Sequence, residues 1–293
     1  MMNFLPIVFT CDDFYFKYTS VVIASLLVNQ NKNCQYEINI ISEFISDENK
    51  ALAEKQISKF SNFSIKFIIL EDFDAGKFYL NSYMTVSTYY RFYIPQLFKN
   101  YERILYLDSD LIVDADISEL AVMDFDDKLA ICSPSPFIVD KVKAGNDEVF
   151  TREYFQEYLK MPDPTLYFNA GVMLYNLKKM HEIEITEKFF NAIEEIKKPL
   201  LQDQDILNSV LSRNGGVKMV SSKYNMTKAY TITSKRIFLE NLKELFGISK
   251  KDNWFYIYHY VGKEKPWMEK RIDGLLFEKY AKKSPFYSLI FPK

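Results

Sequence analysis

The sequence is poor in glycine, cysteine and histidine, and each shortage removes a class of function. Eight glycines in 293 residues include neither a dinucleotide-binding fingerprint nor a Walker loop, so a bound phosphate needs some partner other than a glycine cradle. Three cysteines, Cys11, Cys34 and Cys132, supply no disulfide framework and no paired zinc spacing, which suits a reducing compartment. No run of about 18 apolar residues occurs, which argues against a spanning helix. The first ten residues lack the basic start of a signal peptide. A dominant charge is also missing: 37 basic against 39 acidic residues leave −2, and no overall field favours nucleic acid. These absences point to a cytoplasmic protein.

What is present is globular in character, with 48% hydrophobic and 26% charged residues, enough for one large α/β domain or two smaller ones. Leu5–Thr10, Tyr36–Ser42 and Ser64–Leu70 read as strands, and Tyr18–Val28 and Asp47–Phe60 as helices. Ser46 is placed to cap the second helix, with Lys55 and Lys59 in its last turns. That alternation predicts a parallel sheet with right-handed crossovers, which binds ligands beyond the carboxyl ends of its strands. Ser87–Phe98 reads as a helix, and Arg103–Leu107, Leu129–Ser133 and Phe168–Leu177 as strands. Glu182–Lys197 and a segment opening near Asp203 read as helices, and Trp254–Tyr260 as an aromatic strand. Ser133–Thr165, with four prolines, reads as a variable insert with some helix.

No repeat or linker interrupts this pattern. Residues 1–262 are therefore expected to form the main domain and 263–293 a C-terminal appendage. That appendage carries eight basic and four acidic residues among aromatics that include Trp267, Phe277, Tyr280 and Phe286. Two readings are compatible: a helix packed on the body with snorkelling lysines, and a contact with an anionic membrane surface.

Five Asp-x-Asp pairs occur, at 72/74, 108/110, 114/116, 124/126 and 203/205, where composition predicts roughly one. Spacing cannot choose among them. Context favours Asp108 and Asp110, which follow the apolar run Arg103–Leu107 and precede Leu111-Ile112-Val113. Two carboxylates at the end of a buried strand repel each other and lose hydration, and a divalent cation relieves both problems. The alternative is a solvated turn. His259, one of only two histidines, ends the aromatic strand. An imidazole added to two carboxylates suits manganese better than magnesium or calcium, although a lone histidine is more often structural.

The ordered motifs Phe9-Thr10-Cys11-Asp12-Asp13-Phe14-Tyr15, Ser87-Thr88-Tyr89-Tyr90-Arg91 and Ile104-Leu105-Tyr106-Leu107-Asp108-Ser109-Asp110 resemble those of the family 8 retaining glycosyltransferases. The resemblance continues through Phe168-Asn169-Ala170-Gly171-Val172, Gln202-Asp203-Gln204-Asp205-Ile206-Leu207-Asn208 and His259 to Trp267. It covers about residues 4 to 267 and includes bacterial lipopolysaccharide galactosyl- and glucosyltransferases. It implies an α/β GT-A fold, with a mainly parallel central sheet flanked by helices and a C-terminal helical appendage. It also implies a UDP-hexose donor, UDP-galactose or UDP-glucose, and Mn²⁺, with Mg²⁺ the alternative ion.

By the matching motifs, Asp108, Asp110 and His259 would be the metal ligands, with Asp108 also beside the donor. Thr10, Asp12 and Tyr15 would hold the uridine, with the Tyr15 ring stacked on the base. Lys265 would meet phosphate, and Gly262 would let the backbone approach the diphosphate. Asn169 would bind sugar hydroxyls, with Ala170 and Gly171 too small to block approach. Arg91 would meet the donor or a neighbouring carboxylate, or else be a helix-surface cation. Phe14 stands where several members carry a polar residue.

Retention needs either a carboxylate nucleophile under the anomeric carbon or attack on the face the leaving group departs. Asp203 and Gln204 are the catalytic candidates. An amide is a poor nucleophile, so same-face substitution is expected, with Gln204 stabilising the cationic sugar and Asp203 anchoring hydroxyls. Asp203 could instead only cap its helix. The expected partners are a nucleotide-sugar donor and a glycan or glycolipid acceptor, with no nucleic acid and with peripheral contact at the inner membrane face. Two other readings stay open: a self-glucosylating protein like glycogenin, and a catalytically silent nucleotide-sugar-binding module.

Overall fold

The computed structural model describes residues 2–71, 73–80, 85–227, 255–268 and 274–292. The chain opens with β1 (Asn3–Thr10), α1 (Phe16–Asn29), β2 (Cys34–Ser42), α2 (Asp47–Ile57) and β3 (Phe63–Ile69). A 3₁₀ helix, Val86–Tyr93, leads into α3 (Ile94–Leu97), then β4 (Arg103–Leu107), β5 (Leu111–Val113) and β6 (Ala130–Pro134). The insert holds α4 (Pro136–Ala144) and a π-helical turn at Tyr154–Tyr158. Next come β7 (Phe168–Asn176), α5 (Leu177–Glu182), α6 (Ile185–Glu195), α7 (Asp203–Arg213), β8 (Val217–Met219) and β9 (Met226–Thr227). The described chain ends with β10 (Ile257–His259), α8 (Gly274–Ala281) and α9 (Tyr287–Ile290).

The main sheet has seven strands in the order β3-β2-β1-β4-β7-β6-β8. β1 pairs in parallel with both β2 and β4, and β2 with β3. β7 is antiparallel to its neighbours β4 and β6, so it alone opposes the sheet's common direction. The expected mainly parallel α/β sheet is present. β1 and β2 are buried over nearly their whole length, as strands covered on both faces must be. β3, at the sheet edge, alternates in exposure. A small second sheet, β5-β10-β9, sets His259 opposite Leu111.

Three elements differ from expectation. Ser87–Phe98 is a 3₁₀ helix followed by one α-turn rather than a single α-helix. At three residues per turn, Thr88 and Arg91 lie on one face, and both reach the Asp203 carboxylate. Glu182–Lys197 breaks at Glu184, which has φ 53°. This turns the apolar stripe Ile185, Phe189 and Ala192 inward, away from the line of α5. The aromatic strand is shorter than expected, and Trp254 lies outside the described residues.

Helix α1 is buried on almost every side, so it is sandwiched between other elements. Asn29 Nδ2 donates to Tyr280 Oη at 2.8 Å, and Phe16 meets Phe286 edge-on at 5.8 Å. Phe277, Tyr280 and Phe286 are buried in the same core as β1. The apolar groups left exposed toward the C-terminus include Met268, Leu275 and Leu289. No described helix is long and apolar enough to cross a membrane.

Candidate active site

The candidate site forms where β1, β4 and β10 end and β7 begins. Backbone pairing sets its frame: Asp108 N–H donates to Gly171 O at 2.9 Å, and Tyr260 N–H to Asp110 O at 2.9 Å. These bonds hold Asp108, Asp110 and His259 so that one ligand atom of each lies within 4.8 Å of the others. His259 Nε2 is 3.1 Å from Asp110 Oδ1 and 3.5 Å from Asp108 Oδ2. The imidazole is almost fully buried, and the two carboxylates are partly exposed.

The donor set fits a divalent cation. Asp108 Oδ1 already accepts from Arg91 Nη2 at 2.8 Å and from Tyr106 Oη at 2.6 Å. Its Oδ2 is therefore the oxygen left for a metal. Asp110 Oδ2 takes the Lys265 ammonium, which leaves Oδ1 beside His259. Two carboxylate oxygens and an imidazole nitrogen at one point match a manganese-type preference. Burial works against the charge of Asp110, but Lys265 and His259 outweigh it and lower its pKa.

Gly171 provides the room. A Cβ there would lie 2.1 Å from His259 Cε1 and 2.7 Å from Asp108 Oδ2. Gly171→Ala is therefore expected to displace the His259 ring and weaken Mn²⁺ binding by about tenfold or more. Titration of the metal by electron paramagnetic resonance would check this, and an unchanged affinity would refute it.

Arg91 sits behind the acidic pair, 4% exposed. Its Nε is 3.0 Å from Asp203 Oδ2, its Nη1 donates to Ala170 O at 2.8 Å, and its Cζ lies 4.2 Å from the Tyr106 ring centroid. Burial opposes its charge, yet Asp203, Tyr106 and Asp108 raise its pKa overall. Of the readings open from sequence, the neighbouring-carboxylate one describes its position; it is not a surface cation. Asp203 likewise does more than cap α7. The N-cap is Gln202, while Asp203 accepts from Thr88 Oγ1 at 2.7 Å and pairs with Arg91.

Gln204 is half-buried. Its Oε1 accepts from Ala170 N–H at 3.0 Å, and its Nε2 donates to Tyr167 Oη at 3.2 Å. Asn169 Oδ1 accepts from Gly171 N–H at 3.0 Å. On the β1 side, Thr10 Oγ1 is 3.1 Å from Tyr106 Oη, and Asp12 Oδ1 accepts from Tyr15 N–H at 2.7 Å. The Tyr15 ring packs edge-on against Tyr18 and Trp267. Burial, then Asp110, raises its pKa. Gly262 has φ 88° and open space around its α-carbon, so backbone conformation rather than crowding favours glycine there. Phe14 is exposed beneath the Lys17 ammonium, which lies 3.9 Å from its ring centroid.

The other Asp-x-Asp pairs disperse. Asp205 is fully buried and accepts from Tyr154 Oη at 2.7 Å, Tyr167 Oη at 2.6 Å and Leu201 N–H at 2.8 Å. Asp114 turns inward to the Tyr280 hydroxyl, while Asp116 accepts from Ser118 N–H at 2.8 Å. Asp124 accepts from Asp126 N–H, and Asp126 pairs with Lys218. Asp74 closes a turn at Gly76, and Asp72 lies outside the described residues. Sequence reasoning missed Tyr106, Thr88, Tyr167 and Asn225 as members of this site. The first two lie inside motifs that were singled out for other residues. Asn225 sits in no motif, and no signal marked it.

Residues 6–271 match the model of glycosyl transferase family 8. The chain belongs to this family. Among its relatives, a lipopolysaccharide 1,2-glucosyltransferase of Escherichia coli is 30% identical over 260 residues, covering 87% of this chain and 71% of that protein. A lipopolysaccharide 1,3-galactosyltransferase of Salmonella typhimurium is 28% identical, covering 84% of this chain and 68% of that one. In structure, this family 8 chain is similar to the bifunctional glycosyltransferase WbbM, with a TM-score of 0.77 and 25% identity. It covers 52% of that chain and is itself matched over 99%. It shares its fold with the galactosyltransferase LgtC, solved with donor and acceptor sugar analogues, at a TM-score of 0.71 and 23% identity; 96% of this chain and 95% of that one are covered. The GT-A fold implied by the motifs is thus the fold of this family 8 glycosyltransferase.

Proposed function

We propose that the chain is a metal-dependent, retaining hexosyltransferase. It would move galactose or glucose from UDP-galactose or UDP-glucose to a glycan or glycolipid acceptor in lipopolysaccharide or lipooligosaccharide synthesis. The observation that carries this reading is one convergence. Asp108, Asp110 and His259 meet within reach of one cation, and Arg91 ties Asp108 to Asp203 and to the β7 backbone beside Gln204. The similarity to lipopolysaccharide glucosyl- and galactosyltransferases supports the substrate class.

In this reading Asp108, Asp110 and His259 hold Mn²⁺, which when bound supplies positive charge to the departing diphosphate. Lys265 lies at the same acidic edge, against Asp110 and the Tyr260 carbonyl at 2.9 Å, and is close enough to share in binding phosphate. Thr10, Asp12 and Tyr15 hold the uridine, and Gly262 leaves the backbone open to the diphosphate. Asn169 and Ala170 border the sugar. Asp203 anchors sugar hydroxyls while Arg91 keeps it paired. Gln204, held at both ends of its amide, offers a dipole and no strong nucleophile, which favours same-face substitution. Residues 263–293 form an appendage to the 1–262 catalytic domain, and their exposed apolar groups and lysines would rest at the inner membrane face of a cytoplasmic enzyme.

A panel of UDP-sugars with Mn²⁺, read as UDP release with and without acceptor, tests the proposal. Release from UDP-galactose or UDP-glucose that stops with chelator is expected. No release from any UDP-sugar by folded protein would overturn it. Hexose-sized mass steps on the protein itself, with donor alone, would favour self-glucosylation instead.

Acidity gives a further test. Burial pushes the Asp203 carboxyl up to about 6, against the pull of Arg91 and Thr88. Below that value the group takes a proton and loses its charge toward Arg91, so kcat/KM is expected to fall about tenfold per pH unit on the acid side. Unfolding driven by this group cannot imitate the loss. A carboxyl raised in the fold contributes stability that is full below its unfolded value and is lost as pH rises through about 6. The residual activity of Asp203→Asn should lack this limb, and a limb unchanged in that variant would assign it elsewhere.

A further inference from the structure

We propose that Asn225 is a positioning residue. It fixes the His259 ring with Nδ1–H directed away from the acidic pair, so that the Nε2 lone pair is the one offered to the metal. The inference rests on the reading of Asp108, Asp110 and His259 as a metal site. Asn225 lies just before β9 and has no role in the chemistry itself.

One main-chain group of fixed polarity sets the orientation of the rest. The backbone N–H of Gly171 can only donate, and it meets the Asn169 side chain at 3.0 Å. The Asn169 atom there must therefore be its carbonyl oxygen. The same oxygen lies 2.7 Å from the Asn225 side chain, so the Asn225 atom facing it must be the amide nitrogen. The other head of Asn225 is then its oxygen, and it lies 2.9 Å from His259 Nδ1. An oxygen without a proton requires Nδ1 to donate. Each amide orientation is thus forced by the one before, back to a main-chain donor, which removes the usual ambiguity of asparagine flips and histidine tautomers.

The backbone makes Asn225 rigid enough for this task. Its N–H closes a 3₁₀ turn on Ser222 O at 3.1 Å, and its neighbours Met226 and Thr227 pair with Tyr258 and His259 of β10. Asn225 is 1% exposed, so water does not compete for its oxygen. A second-sphere acceptor on the far nitrogen commonly orients a metal-binding histidine and sets its tautomer. His181, the other histidine, serves as an internal reference of opposite sense. Its Nε2 lies 2.7 Å from the Pro95 carbonyl oxygen and must carry the proton there.

The test uses the full chain labelled with ¹⁵N-histidine, free of metal. Long-range proton–nitrogen correlations report which ring nitrogen is protonated. The wild type is expected to show Nδ1–H at His259 and Nε2–H at His181, assigned through His181→Gln. Asn225→Ala is expected to lose the fixed His259 tautomer and to bind Mn²⁺ about tenfold to a hundredfold more weakly. Asn225→Asp keeps an acceptor for Nδ1 while turning a second oxygen toward Asn169. It should keep the tautomer and most of the Mn²⁺ affinity while raising the KM for donor. The wild-type spectrum and the isosteric Asn225→Asp decide the matter even if Asn225→Ala does not fold. A His259 Nδ1 without its proton in the wild type, or an unchanged spectrum and affinity in Asn225→Ala, would overturn the positioning role. Failure of the wild type to bind Mn²⁺ at all would overturn the metal site instead.

Discussion

Asp108→Ala and Asp110→Ala are each expected to lower metal-stimulated UDP release by about a thousandfold or more, equivalent to about 4 kcal/mol at the barrier. Each removes one of the two carboxylate oxygens that meet His259 Nε2, and among the described residues no other metal-ligating group joins this cluster. The neighbouring pair supplies the comparison, but its two members differ. Asp116 is exposed and closes a turn at Ser118, so Asp116→Ala should retain release to within a few fold. Asp114 has the same spacing, but it is 4% exposed and accepts from the Tyr280 hydroxyl. Its truncation would leave a buried donor without that acceptor, at about 1–3 kcal/mol of stability. Asp114→Ala is therefore expected to keep its metal dependence while unfolding earlier in denaturant. A continuous assay for UDP, run beside urea unfolding, separates these outcomes. Metal-stimulated release persisting in Asp110→Ala would disprove the assignment.

Arg91→Met should be the most damaging single change away from the metal. The guanidinium serves Asp108, Asp203 and the Ala170 carbonyl at once, at 2.8, 3.0 and 2.8 Å. Methionine fills similar space and leaves Asp203, 2% exposed, without its cation. Removing one partner of a buried ion pair typically costs about 3–5 kcal/mol, a large fraction of what a domain has to spare. UDP release should also fall, since Asp108 would lose the contact that fixes which of its oxygens faces His259. Arg91→Lys is not expected to rescue it, because one ammonium cannot span three acceptors held by a planar fork. Denaturant unfolding with release measured in parallel checks both effects. A stability within about 0.5 kcal/mol of wild type would show that the ion pairs are not needed to hold the two carboxylates.

Much of the fold was legible because its signals are local. Burial periodicity marks β1, β2 and α1 within a few residues of their ends, and Ser46 caps α2 as its position implied, accepting from Asn49 N–H at 3.4 Å. Elements shaped by distant partners were not legible. Val86–Tyr93 winds as a 3₁₀ helix, a form that lets two of its side chains reach an aspartate far along the chain. The C-terminal aromatics, equally suited by composition to a membrane or a core, are largely turned inward against α1 and β1.

The candidate site divides in the same way. By itself the sequence determined the ordered motifs, and with them the family and the end of the sheet where the candidate site lies, because these depend on residue type and order. It could not choose among five Asp-x-Asp pairs by spacing, since that spacing serves turns, helix starts and buried hydrogen bonds alike. Tertiary structure decided that Asp108 and Asp110 converge with His259, that Arg91 lies beneath them, and that Asp203 and Asp205 face different partners. It also revealed Asn225, 34 residues from His259 in the chain and 2.9 Å from its ring. A hydrogen-bond chain running from a backbone N–H through two amides to an imidazole leaves no trace in composition or periodicity. It exists only once β7, β9 and β10 are folded together.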